Sequence, residues 1–139
     1  MLRLRIASLT AAIVGCGHGP YPTEIVIDPA FSSDEASQVI AAIDEWSELC
    51  PDIALPVRRG SRPNVRRDCT GWPGQTFFAE QVIHICPEAA TDPRRIMLHE
   101  LVHLYRQDEL HVEDPTSILQ VDGYLPQHPS PADVALVCP

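Results

Sequence analysis

Apolar residues recur at Ala36, Val39, Ile40, Ile43, Trp46 and Leu49, at spacings of three and four that wind onto one side of a helix. The pattern predicts an amphipathic helix over 34–49. Ser32 or Ser33 caps it, Glu35 completes a capping box with Ser32, and Pro51 ends it. Before it, the β-branched run Glu24–Asp28 reads as a strand. After it, 53–58 reads as a strand weakened by Pro56, and 59–76 as a loop. Residues 77–79 and 81–86 then read as two strands of a hairpin. Val82, His84 and Cys86 share one face of the second, and Ile83 and Ile85 the other. Asp92-Pro93 supplies a cap and a first-turn proline for a helix running to about Arg106. Residues 107–129 are irregular, and Ser130-Pro131 opens a short closing helix over 131–137. The order implies an α+β fold: a small twisted mixed sheet, a first helix and a second helix packed on it, and a short C-terminal helix.

The first residues stand apart from this pattern. Arg3 and Arg5 precede an apolar run, Ile6 to Val14, of secretory-signal length. The run ends in Ile13-Val14-Gly15-Cys16, which resembles a bacterial lipobox, where the cysteine is acylated and becomes the mature N-terminus. The expected organisation is a signal peptide over 1–15, a lipidated tether over 16–23 beginning at Cys16, and one domain over 24–139. An ordinary secretory signal cut near Gly17 is the alternative. Such a chain is exported and anchored to the bacterial envelope by its lipid.

Composition narrows the partners. Of 139 residues, 10 are Arg, none is Lys and 19 are Asp or Glu. Removing 1–15 takes away two arginines, so the net charge becomes 8 − 19 = −11 with His neutral. A chain this acidic is not expected to bind nucleic acid through phosphates. Nor does it dock on anionic lipid by a basic face, so membrane contact is expected only through the N-terminal lipid. Arg58, Arg59, Arg62, Arg66 and Arg67 cluster in the 59–76 segment and read as a solvated basic loop. Five cysteines are an odd number; assigning Cys16 to lipid leaves Cys50, Cys69, Cys86 and Cys138, which suit two disulfides in an exported domain. A four-cysteine zinc site is not expected, because no C-x-x-C pair exists.

The chemistry lies in the segment HELVH, 99–103. On a helix, His99 and His103 stand one turn apart on one face and can hold one metal ion. Glu100 sits beside the first ligand, where its carboxylate can take a proton from water and pass it to a leaving amine. Leu98, Leu101, Val102 and Tyr105 form the apolar body of the helix. A chance H-E-x-x-H in a chain of this length arises in about one sequence in a few hundred. Zinc needs a third protein ligand, and His111 is favoured among the downstream donors; Glu109, Asp122 and Asp133 are the alternatives. His84 reads as structural, and His18 and His128 as solvated.

The segment HELVHLYRQDELHVEDPTSIL resembles the metzincin zinc metallopeptidases, in particular small bacterial matrixin-like proteins. Their pattern is H-E-x-x-H-x-x-G-x-x-H followed by a tight turn containing Met. His99, Glu100 and His103 match it directly. His103 to His111 spans eight residues where the family has six, which puts Glu109 at the strict ligand position and Arg106 at the glycine that normally ends the helix. Leu119 stands where the Met is expected, and Tyr124 follows it. The resemblance implies one catalytic Zn2+ on His99, His103 and His111, with Glu100 as general base and then acid. An Asp third ligand would imply an aspzincin-like site instead. Astacin-type metzincins join the first helix to the C-terminus and bridge the segment before the active helix, which implies Cys50–Cys138 and Cys69–Cys86. The expected activity is hydrolysis of a peptide or protein substrate by a monomer, the substrate lying along an edge strand near 77–86. The rival readings are a zinc-binding lipoprotein without peptidase activity, and a structural lipoprotein in which HELVH is incidental.

Overall fold

The computed structural model describes residues 25–51, 63–69, 71–89, 92–120 and 125–138. The signal peptide, Cys16 and the tether, His18, the strand expected over 53–58, Arg58, Arg59, Arg62, Asp122 and Tyr124 lie outside the described residues.

Helix α1 spans Ser33–Leu49, and both halves of its capping box form: Ser32 Oγ accepts from Glu35 N, and Ser32 N donates to the Glu35 carboxylate. Its buried stripe is narrower than the apolar spacing implies. Val39, Ala42 and Trp46 are fully buried, while Ile40 and Leu49 are 45% and 40% exposed. Helix α2 spans Pro93–Arg106, with Asp92 capping Arg95 N; helix α3 spans Pro131–Val137, with a capping box between Ser130 and Asp133. The three helices start where their caps indicate, because a cap is local chemistry between neighbouring residues.

The strands are shorter than expected and partly elsewhere. β1 is Val26–Ile27, β2 Asn64–Arg67, β3 Gly74–Phe77 and β4 Val82–Ile85. They form one mixed sheet in the order β1-β2-β4-β3, with β1, β2 and β4 parallel and β3 antiparallel to β4. Two expectations are corrected. The segment read as a loop contains β2, a strand with one buried apolar residue, Val65. It is extended because β1 and β4 flank it and satisfy its backbone, not because of its own residues. The hairpin is real, but its first strand is Gly74–Phe77 rather than 77–79. Among the described residues β3 is therefore one edge of the sheet, β1 is the other, and β4 is interior.

The chain is thus an α+β fold with a small mixed sheet and three helices. α2 packs across β3 and β4, and α1 lies against α2. Side chains of Trp46, Leu98, Leu101, Val65, Ile83 and Ile85 merge into one core. Trp46 ties the two long helices, donating its Nε1–H to Leu98 O at 3.1 Å and meeting Tyr105 edge-on. Cys50 and Cys138 lie at disulfide distance and join the end of α1 to the end of α3. Cys69 and Cys86 do the same for the ends of β2 and β4. Among the described residues, no helix is long and apolar enough to cross a membrane.

Candidate metal centre

His99, Glu100 and His103 occupy consecutive turns of α2 and are all buried, at 9%, 6% and 5% exposure. Helix geometry alone places the two imidazoles one above the other, and their Nε2 atoms stand 3.0 Å apart. The third imidazole arrives through the irregular segment. His111 Nε2 lies 3.2 Å from His99 Nε2, and the three rings sit 4.7–5.1 Å apart centre to centre.

What turns the three Nε2 atoms inward is the other nitrogen of each ring. His99 Nδ1 faces Ile118 O at 2.5 Å, His103 Nδ1 faces Asp108 O at 3.0 Å, and His111 Nδ1 faces Glu109 O at 3.0 Å. A carbonyl oxygen only accepts, so each Nδ1 carries the proton and each Nε2 presents its lone pair. Burial pushes the His99 pKa down to about 4, with the charges of His103 and His111 acting the same way. Burial and the charge of His111 lower that of His103. His99 and His103 are therefore neutral near pH 7, and their Nε2 lone pairs, 3.0 Å apart, repel with no proton between them. A cation relieves this. Nitrogens held tetrahedrally at roughly 2.0–2.1 Å from one ion lie about 3.3 Å apart, so the donor set fits zinc.

The reversal that delivers His111 does without the expected glycine. α2 runs to Arg106, and the next residue, Gln107, takes the left-handed conformation at φ 58 that glycine usually supplies. Asp108 then organises the turn. Its carboxylate accepts from the Arg106 guanidinium at 3.1 and 2.7 Å and from Leu110 N at 3.3 Å. Arg106, by its hydrogen bonds first, holds the Asp108 pKa below the usual carboxylate range. The same turn presents the carbonyls of Asp108 and Glu109 to the second and third histidines.

Of the alternative ligands, Glu109 and Asp133 are among the described residues, and neither joins the cluster. Glu109 lines the cleft, but the clustered donor atoms are those of the three histidines. Asp133, 1% exposed, points at the turn rather than at the histidines. It accepts from Ser117 Oγ, from Ile118 N at 3.2 Å and from Ser130 N at 2.7 Å. Since Ile118 O holds His99, Asp133 supports the site through one residue, Ile118. Leu119 is fully buried in the core. His128 is exposed but not merely solvated: its Nδ1 lies 2.7 Å from the Glu45 carboxylate, beside Arg94. His84 packs its ring on Phe77 and faces Asp68 at 3.3 Å.

Glu100 is held by β3. Its Oε2 accepts from Thr76 Oγ1 at 2.7 Å. Burial pushes its pKa up to about 7, against the lowering effect of that bond. Gly74 makes room for it: a Cβ there would stand 2.6 Å from Glu100 Oε1 and 2.9 Å from its Cγ, and would also strike Ile96. Sequence reading missed Gly74, Thr76 and the rim residue Trp72, because all three lie in or beside a segment read as loop. A glycine in a strand does mark a close approach, once the strand is known. Together these residues line a cleft of about 530 Å3 that also includes Phe78, Gln120 and Leu125. Comparison with protein-family models, curated proteins and solved structures finds no match to this chain.

Proposed function

We propose that this chain is a zinc-dependent endopeptidase of the metzincin kind, on an exported, lipid-anchored monomer. His99, His103 and His111 are its metal ligands and Glu100 its general base and acid. One observation carries the reading: three Nδ1–H groups are committed to backbone carbonyls, so three Nε2 lone pairs converge on one point beside a buried carboxylate. Zinc bound there supplies Lewis acidity, which acidifies water and polarises a carbonyl. Glu100 does the proton work. Burial moves its affinity for a proton toward neutrality, which suits a group that first takes a proton and then returns it to the leaving amine. Thr76 fixes the direction of that carboxylate.

The sheet edge offers a place for the substrate. Cys86 N donates to Pro73 O at 2.9 Å, so the alternation of an antiparallel ladder turns the N–H and C=O of Gly74 and Thr76 away from β4. An extended peptide along β3 would pair with those groups, passing over the face that holds Glu100. The export signal and the lipid at Cys16 rest on residues 3–16 alone.

Metal analysis of the purified protein, together with cleavage of a broad peptide library, tests this. Stoichiometric zinc is expected, lost in His111→Ala and kept in Glu109→Ala. Glu100→Gln should keep zinc and lose about 100-fold or more of the cleavage rate. Zinc held without any cleavage by the wild type would leave a zinc-binding protein and end the peptidase reading. No zinc after metal exposure would end both.

A further inference from the structure

The proton chemistry and the strand edge make no use of Trp72. This side chain is 67% exposed, whereas the chain's other tryptophan, Trp46, is fully buried. Its backbone is braced. Cys69 is linked to Cys86, with Cα atoms 4.6 Å apart, and Pro73 O accepts from Cys86 N at 2.9 Å. Gly71 turns the chain at φ 100, a conformation open to glycine, just before the tryptophan. The indole is exposed on a backbone braced at Pro73, so a ligand that covers it orders the side chain but not the strand start beneath it. Trp72 lies two residues before Gly74, where the free edge of β3 begins, and on the rim of the histidine cleft. Phe78, Ile96 and Leu125 add apolar surface to that cleft, and among the described residues that line it there are two glutamates and no arginine.

We propose that Trp72 is the binding platform for a large apolar side chain, aromatic or branched aliphatic, of an extended peptide lying along β3. This names the substrate class of the site proposed above and rests on that reading for the presence of a peptide. The indole face stacks on an aromatic ring or covers a leucine.

The test uses the full chain carrying Glu100→Gln, with and without zinc, so that peptides bind without being cut. The probes are acetylated pentapeptide amides of alanine carrying a single Phe, Leu, Lys or Asp at each position in turn. Affinity is measured by calorimetry and tryptophan emission. Emission of Trp72→Phe, in which Trp46 is the remaining tryptophan, is subtracted so that the change reports Trp72. At one position Phe and Leu should bind about tenfold tighter than Ala, with a blue shift. Trp72→Ala should erase that preference and Trp72→Phe keep it, both unfolding at the parent temperature. The same preference in Trp72→Ala, a preference for Lys at that position, or no emission change at saturation overturns the proposal. Cleavage by the wild type separates the two readings. Trp72-dependent binding with no cleavage leaves the platform standing and removes the peptidase. Cleavage indifferent to Trp72 does the reverse.

Discussion

Glu100 is a carboxylate whose surroundings are built by two residues of another element. Thr76 binds one oxygen, and the absent side chain of Gly74 leaves space for the other. Gly74→Ala should therefore destabilise the fold by about 1–3 kcal/mol, as overpacking does, and displace the carboxylate. Unfolding midpoints and zinc content check this: stability and cleavage should fall while zinc stays bound. Buried Glu100 and buried His99 also oppose each other in acid. Glu100 is raised from 4.5 to about 7, so its contribution is full below 4.5 and fades as pH rises through 7. His99 is lowered from 6.5 to about 4, so its contribution is full above 6.5 and fades as pH falls through 4. In the metal-free protein the two slopes largely offset between pH 6.5 and 4.5. Glu100→Gln removes one of them. Its stability, measured by urea unfolding at several pH values, should fall more steeply on acidification than the wild type's; equal slopes would refute the assignment.

At the scale of elements, three segments far apart in sequence meet at the histidines. α2 contributes two rings, the Gln107–Asp108 reversal brings the third, and α3 reaches back through Asp133. Asp133 is both the capping-box partner of Ser130 at the start of α3 and the anchor of the turn whose Ile118 carbonyl orients His99. Asp133→Asn should cost about 1–3 kcal/mol of stability, because an N–H replaces one carboxylate oxygen and the three donors are left a single acceptor. It should also weaken zinc affinity by about 10–100-fold, the usual effect of disturbing a group behind a ligand. Competition with a chelator reads the second effect, and unchanged affinity would show that the turn holds without the acid.

Over the whole molecule, the Cys50–Cys138 link closes a loop of 88 residues between the ends of α1 and α3. Chain entropy alone gives such a bridge roughly 4–5 kcal/mol. Since α3 also carries Asp133, the link connects the far end of α1 to the histidine cluster. The double variant Cys50→Ser, Cys138→Ser should lose several kcal/mol of stability in denaturant and bind zinc more weakly. Cys69→Ser with Cys86→Ser should loosen the Trp72 rim and leave zinc affinity near that of the wild type. An equal loss of zinc affinity in both variants would contradict this division.

The linear chain determined what depends on near neighbours. The caps at Ser32, Asp92 and Ser130 set where the helices begin, since each side chain bonds a backbone three residues on. The i, i+4 spacing put His99 and His103 on one face, and the choice of His111 as the third imidazole followed from residue type. Tertiary structure decided what depends on distant partners. β2 is a strand because β1 and β4 flank it, and β3 is an edge, as β1 is, because β4 pairs on its inner side alone among the described residues. Gln107 takes the left-handed conformation without being a glycine because Arg106 and Asp108 fix the turn around it. Asp133 stands behind the site rather than in it, because α3 docks with its first turn against Ile118. Gly74 and Thr76 shape the Glu100 pocket only once the sheet lies against α2, a contact between chain segments more than twenty residues apart. A side chain's local bonds are legible in sequence, whereas its distant neighbours are set by how the core packs.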